Sequence, residues 1–188
     1  MSSKKIVILR GSPRKNGNSN ALADELTAGA ELKGAEVHNF FLQDMHIEGC
    51  SGCDACQVTA DEQCIIEDDM QQIYPILKEA DAIVYASAIY WFTYTAQLKA
   101  AIDRLYAFES PRGSPLMKKP VGILLTYGDS DQIRSGVSNA IHSFQSMFHY
   151  LQSPILGIVH ATAMNVGDIQ KNKEAMKAAF DLGVALAK

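Results

Sequence analysis

The 188-residue sequence has no apolar run long enough to span a membrane. Its opening stretch, MSSKKIVILRGSP, has neither the long hydrophobic segment nor the small-residue cleavage site of a secretory signal. A cytoplasmic location is expected. The sequence also lacks an excess of positive charge: 17 Lys and Arg stand against 21 Asp and Glu, a formal net charge of -4 that disfavours nucleic acid or an anionic membrane surface as partner. No repeat, low-complexity tract or linker divides the chain, so residues 1–188 read as a single domain. The G-x-S-x-G elbow of hydrolases is missing. None of the five histidines (His38, His46, His142, His149, His160) stands with a second ligand at metal spacing or beside a cysteine in a nucleophile arrangement. Asp68 and Asp69 are adjacent at a helix start, where capping explains them better than acid–base chemistry. With no conspicuous set of acids and bases, chemistry carried by a bound cofactor fits the sequence.

What is present is an alternation of apolar runs and helical periods. KIVIL (5–9), EVHNFF (36–41), AIVYAS (82–87), VGILLTY (121–127) and ILGIVHA (155–161) are short and apolar, as strands buried on both faces are. Helices are expected over 19–33, 68–80, 95–108, 131–152 and 168–187, with Pro75 interrupting the second. Residues 109–119 read as a surface loop. Five strands joined by helical crossovers predict an α/β fold with a parallel sheet, helices on both faces and ligands at the carboxyl ends of the strands.

The segment RGSPRKNGNSN (10–20) follows the first strand and opens the first helix, where free backbone N–H groups and the helix dipole favour an anion. It is not a Walker loop, because five residues separate Gly11 from Gly17 and Asn18 stands where the lysine is needed. Nor is it a dinucleotide fingerprint, since Pro13 and Asn16 occupy two of the three glycine places. Hydroxyls and amides at Ser12, Asn18 and Ser19, with Arg14, suit one terminal phosphomonoester; a generic turn and N-cap is the alternative. Farther on, IYWFTY places Tyr90, Trp91 and Phe92 in a loop at the end of the third strand, which marks a ligand site, a subunit contact or both.

The cysteines are confined to one loop, 50–64. They read CSGCDACQVTADEQC, that is Cys50, Cys53, Cys56 and Cys64 with the spacing C-x2-C-x2-C-x7-C. Three thiolates at three-residue steps can reach three corners of one cubane with the fourth supplied by a short loop. Zinc and plain thiols remain the alternatives.

GSPRKNGNS and ADAIVYASAIYWFTYTAQLKAAIDR (80–104) resemble the phosphate loop and the third strand, flavin loop and following helix of the flavodoxin-like NAD(P)H-dependent FMN reductase family. The resemblance covers essentially the whole chain and is strongest from residue 4 to about 106. It implies a three-layer sandwich with a five-stranded parallel sheet in the order 2-1-3-4-5. It places FMN phosphate on Ser12, Arg14, Asn18 and Ser19, and isoalloxazine beside Ala88, Ile89, Tyr90, Trp91 and Phe92. Ala88 stands where the family usually has proline. The loop TYGD would close the other side of the flavin through Thr126, Gly128 and Asp129. The cysteine spacing is similar to that of the iron-sulfur flavoproteins, a branch of the same superfamily, and implies a [4Fe-4S] cluster on the four cysteines. The family implies electron transfer from NAD(P)H through FMN to a small acceptor such as a quinone or free flavin. The branch implies a carrier fed by a ferredoxin-like partner. Either version is expected to form a homodimer or higher homo-oligomer.

Overall fold

In the computed structural model, which describes residues 3–58, 64–109 and 113–188, five parallel strands form one sheet: β1 (Lys5–Arg10), β2 (Glu36–Phe41), β3 (Ala82–Tyr90), β5 (Val121–Tyr127) and β6 (Ile155–Thr162). Their order is β2-β1-β3-β5-β6, the expected 2-1-3-4-5 when the parallel strands alone are counted. The sixth strand, β4 (Thr93–Tyr94), is a two-residue antiparallel return on the end of β3. Alternation along β1 shows why the strands are apolar throughout. Ile6 and Ile8 enter one core, Val7 and Leu9 the other, and all four are fully buried.

Helices α1 (Asn18–Leu32) and α7 (Lys173–Leu186) cover the first face, packed on each other and on the sheet through Leu22, Leu26, Ala179 and Leu182. The short α6 (Asp168–Lys171) precedes α7. Helices α3 (Met70–Glu79), α4 (Ala96–Arg104) and α5 (Val137–Tyr150) cover the second face, where Tyr85, Phe144 and Phe148 fill the centre. A four-residue helix, α2 (Ala55–Val58), lies in the cysteine segment.

Four boundaries differ from expectation. β3 runs to Tyr90, so Ala88, Ile89 and Tyr90 are strand residues, and β4 turns the chain straight back. The fifth helix begins at Val137 and not at 131, because the Asp131 carboxylate accepts from the Ile133 and Arg134 N–H groups and holds a turn there. The C-terminal helix is split at Asn172, whose side chain caps α7 by accepting from the Ala175 N–H. Of the loop expected at 109–119, residues 110–112 lie outside the described residues, and Leu116 is buried in the core rather than on the surface.

Topology fixes the location of any site. The segments leaving β1, β3, β5 and β6 (11–17, 91–92, 128–136 and 163–167) all emerge at the same edge of the sheet. No helix among the described residues is long and apolar enough to cross a membrane.

Candidate functional site

The chain turns sharply after β1. Ser12 Oγ accepts from the Arg14 N–H at 3.2 Å, the Gly17 N–H donates to the Arg14 carbonyl at 2.9 Å, and the Asn20 amide donates to the carbonyls of Arg14 and Lys15. This curl delivers the chain into α1, whose N-terminus has no side-chain cap. Its first-turn N–H groups therefore keep their capacity for an outside acceptor. Ser19, in that first turn, is fully buried, and its Oγ has no hydrogen-bond partner among the described residues. A Cβ on Gly17 would stand 2.5 Å from Ser12 Oγ, so the glycine keeps the cradle open. Arg14 is exposed and has no carboxylate partner among the described residues, whereas Lys15 turns away to Asp44 at 2.7 Å. An uncapped helix end, a buried unpaired hydroxyl and an uncommitted guanidinium fit a phosphate.

A cleft, open to solvent, rises from this loop. Ser12, Arg14 and Asn18 line its lower end; Ala88, Ile89 and Tyr90 of β3 form one wall, and Thr126 and Tyr127 of β5 with the following Gly128 the other. Trp91, Phe92 and Asp129 stand outside it. With Gly128, Arg134, Ser135 and Met164 they line an adjoining concavity. Thus the expected positions gather at one edge, divided between two connected hollows, with Ser19 behind the loop. Asn18 departs from its expected role as a side-chain ligand. Its amide donates to the carbonyls of Ala163 and Asn165 and accepts from the Gly167 and Ile169 N–H groups, so all four of its hydrogen-bonding places are used.

Three lining residues, Ala163, Met164 and Val166, escaped the sequence reading. They follow β6, and only the sheet order brings that strand end beside β5. Tyr127 was missed because it ends a plain strand pattern. Its hydroxyl pairs with His160 Nδ1 at 2.9 Å, and burial pushes the phenol up from its ordinary value.

The aromatic hairpin is held under backbone strain. Tyr90 pairs with Thr93, leaving a two-residue turn in which Trp91 (φ 45°) and Phe92 (φ 73°) both lie in the left-handed region. Turns of this kind normally carry Asn or Gly. Here the turn is braced from below: the Asn139 amide donates to the Phe92 carbonyl at 3.3 Å, and Gly136, itself left-handed at φ 80°, lies so close to the Phe92 backbone that a Cβ would overlap it. Trp91 is 91% exposed at the tip.

The cysteine segment is tied down at its base. Arg104, at the end of α4, is fully buried and pairs with an equally buried Asp68 at 2.6 and 3.2 Å. It also donates to the carbonyls of Glu48 and Ile66, on either side of the segment. Asp68 is therefore an ion-pair partner as well as a cap for the Met70 N–H. Burial alone would raise its pKa, but bonds from Arg104 and from the Glu48 and Met70 N–H groups outweigh it and hold the carboxyl below its ordinary value. Cys50 and Cys53 are exposed, Cys56 is buried and Cys64 half-buried. The expected convergence of these four on one metal centre is not seen. Among the described residues no three His, Cys, Asp or Glu side chains are grouped to hold a metal ion.

Residues 4–163 match the family model described as NADPH-dependent FMN reductase. Among curated relatives, an iron-sulfur flavoprotein of Archaeoglobus fulgidus is 30% identical over 184 residues, 97% of this chain and 79% of the relative. A Bacillus subtilis protein, YwqN, named as a candidate NAD(P)H-dependent FMN-containing oxidoreductase, is 26% identical over 95% of this chain and 96% of its own. Among solved structures, the NAD(P)H:quinone oxidoreductase of Methanothermobacter marburgensis superposes with a TM-score of 0.75 at 17% identity, covering 100% of this chain and 98% of that one, a likeness of fold. An uncapped helix end at the head of α1, a cleft between β3 and β5, and a match over most of the sequence lead to one assignment: the chain belongs to the NADPH-dependent FMN reductase family of flavodoxin-like oxidoreductases.

Proposed function

We propose that the cleft binds FMN and that the protein uses it to pass reducing equivalents from NAD(P)H to a small acceptor such as a quinone or free flavin. The observation that carries this reading is the unpaired Ser19 Oγ, buried in the first turn of an uncapped helix beneath a loop that opens into the cleft. When bound, FMN supplies the redox chemistry. The chain's own groups bind and orient it. The first-turn N–H groups of α1, with the hydroxyls of Ser12 and Ser19, hold the phosphate, and Arg14 neutralises it. Ala88, Ile89 and Tyr90 on one side and Thr126 and Gly128 on the other confine the ring, while Trp91, Phe92 and Asp129 border the hollow through which a second flat molecule reaches it. The names of YwqN and of the quinone oxidoreductase support the choice of donor and acceptor.

The test is ligand discrimination. Released flavin should carry one phosphate. Changing Arg14 and Ser19 to Ala should cost FMN more than riboflavin, by about 1.5–3 kcal/mol for a charge-assisted contact. Equal losses would remove the phosphate from this loop. Stopped-flow bleaching by NADH and NADPH then tests the donor.

A second reading rests on the cysteine spacing and on the name of the A. fulgidus relative: an electron carrier whose Cys50, Cys53, Cys56 and Cys64 hold a [4Fe-4S] cluster fed by a ferredoxin-like partner. In this structure the four thiols do not converge, and no step is assigned to them. Protein prepared without oxygen should contain about four irons per chain on this reading. FMN without iron in such material would end it. The exposed Trp91 and Phe92 also favour a homo-oligomer, which sedimentation at low concentration tests.

A further inference from the structure

We infer that Thr95 is a positioning residue that fixes the spacing between the anion-binding and ring-binding halves of the cleft. The inference rests on the reading that the cleft holds FMN. Thr95 lies outside the cleft lining and is fully buried at the head of α4. Its hydroxyl proton goes to the Gly11 carbonyl at 2.7 Å, and the same oxygen accepts the Leu98 N–H. Its backbone N–H donates to Ser87 Oγ at 3.0 Å, and the Ser87 hydroxyl donates to the Ala88 carbonyl at 2.7 Å. Each hydroxyl has one proton: that of Thr95 goes to Gly11, and that of Ser87 is shared between the Ala88 carbonyl and Thr95 Oγ1, 3.4 Å away. Neither is left for a ligand.

The two carbonyls reached in this way belong to different halves of the site. Gly11 is the first residue of the phosphate loop, and Ala88 is the first residue of the β3 segment lining the ring wall. Gly11 is held from its other side by its N–H bond to the Ala86 carbonyl at 2.8 Å. A Cβ there would stand 2.6 Å from Leu98 Cβ and 2.8 Å from Thr95 Oγ1, so the loop starts in direct contact with α4. One buried hydroxyl pair thereby sets both loops against a common helix. A ligand that uses one half needs only that half formed, whereas a ligand that spans both needs their separation to be right. FMN spans both. Riboflavin uses the ring half and inorganic phosphate the other.

The measurement is the affinity of apoprotein for FMN, riboflavin and inorganic phosphate in Thr95→Val, which keeps the shape and deletes the hydroxyl, and in Thr95→Ser, which restores it. Thr95→Val should weaken FMN about tenfold, the value of a buried hydrogen bond, and leave the two half-ligands within about twofold. Thr95→Ser should return FMN to within about twofold of the unaltered protein. General loosening of the fold would not change the ratio of FMN to riboflavin affinity, so that ratio separates positioning from mere stability. Parallel loss of FMN and riboflavin, or full FMN affinity in Thr95→Val, overturns the inference. If Thr95→Val fails to fold by circular dichroism, Ser87→Ala replaces it. That change cuts the link to Ala88 while sparing the Gly11 bond, and the same selective loss of FMN is expected. Failure of the unaltered protein to bind FMN would be seen first and would overturn the cofactor assignment, and with it this inference.

Discussion

A buried hydroxyl without a partner destabilises the fold that carries it, by about 1–3 kcal/mol for the desolvated group. Ser19 is such a residue, and removing its hydroxyl should therefore act in opposite directions on the empty and the occupied protein. Ser19→Ala is expected to raise the melting temperature of apoprotein, by an amount equivalent to about 1 kcal/mol, while weakening FMN by a similar or larger amount. Melting curves with and without FMN measure both at once. Stabilisation with undiminished FMN affinity would show that the hydroxyl never meets the phosphate. The neighbouring residue marks what a single sequence can and cannot reveal. GNS at the head of a helix reads as anion chemistry, and the helix end it forms is uncapped. Whether Asn18 offers its side chain to the ligand or spends it on residues 163–169 depends on where β6 ends, almost the whole chain away in sequence. The place of Ser19 in the first turn was legible because it is local; the partners of Asn18 were not, because they are distant.

Between residues and fold lie two elements whose local chemistry runs against propensity. The hairpin joining β3 to β4 puts Trp91 and Phe92 where left-handed backbone costs roughly 1–2 kcal/mol per non-glycine residue. Replacing the pair by the Asn-Gly that such turns favour, Trp91→Asn with Phe92→Gly, should relieve this and raise stability by about 1 kcal/mol or more. If the aromatics are retained for the ring site, the same change should slow reduction of a quinone; unchanged turnover with higher stability would assign them to a subunit contact instead. The strain was invisible in IYWFTY, which reads as an aromatic loop after the strand, whereas β3 runs on to Tyr90. The second element is the base of the cysteine segment. Removing one partner of a buried pair leaves a bare charge, so Arg104→Met should cost about 3–5 kcal/mol, and adding Asp68→Leu should recover much of it. Because the folded-state pKa of Asp68 is depressed, its contribution is present above the unfolded value near 4 and is lost as pH falls through the lower folded value. Denaturant midpoints measured downward from pH 5 should therefore drop more steeply in the unaltered protein than in Asp68→Asn. Equal slopes would remove the pair from the acid transition. Adjacent aspartates at a helix start look like caps, and Asp68 is one; its ion pair with a residue 36 positions later could be found only in three dimensions.

At the scale of the molecule the sheet divides labour between its two edges, and this much was legible. Five apolar runs separated by helical periods specify a parallel sheet, and parallel strands deliver all their following loops to one end. The order of the strands decides which loops meet. β1 lies between β2 and β3, and β5 lies between β3 and β6, so the segments after β1, β3, β5 and β6 border two adjoining hollows at one edge, and the β6 segment entered both unannounced. A ligand there touches the carboxyl edge alone. The opposite edge, formed by the turns around 33–35, 80–81, 119–120 and 152–154, can sense binding only through global stability. Bound at 100 times its dissociation constant, FMN should stabilise the whole fold by about 2.7 kcal/mol. Amides that exchange by global unfolding will all slow by that common factor, whereas those that exchange by local opening will slow only where the ligand sits. Hydrogen exchange on apoprotein and FMN-loaded protein under strongly native conditions should therefore show extra protection at 11–20, 88–92, 126–129 and 163–166, and none at the four turns of the amino edge. Extra protection at those turns, or its absence at 163–166, would place the cofactor elsewhere than in the hollows that the strand order creates.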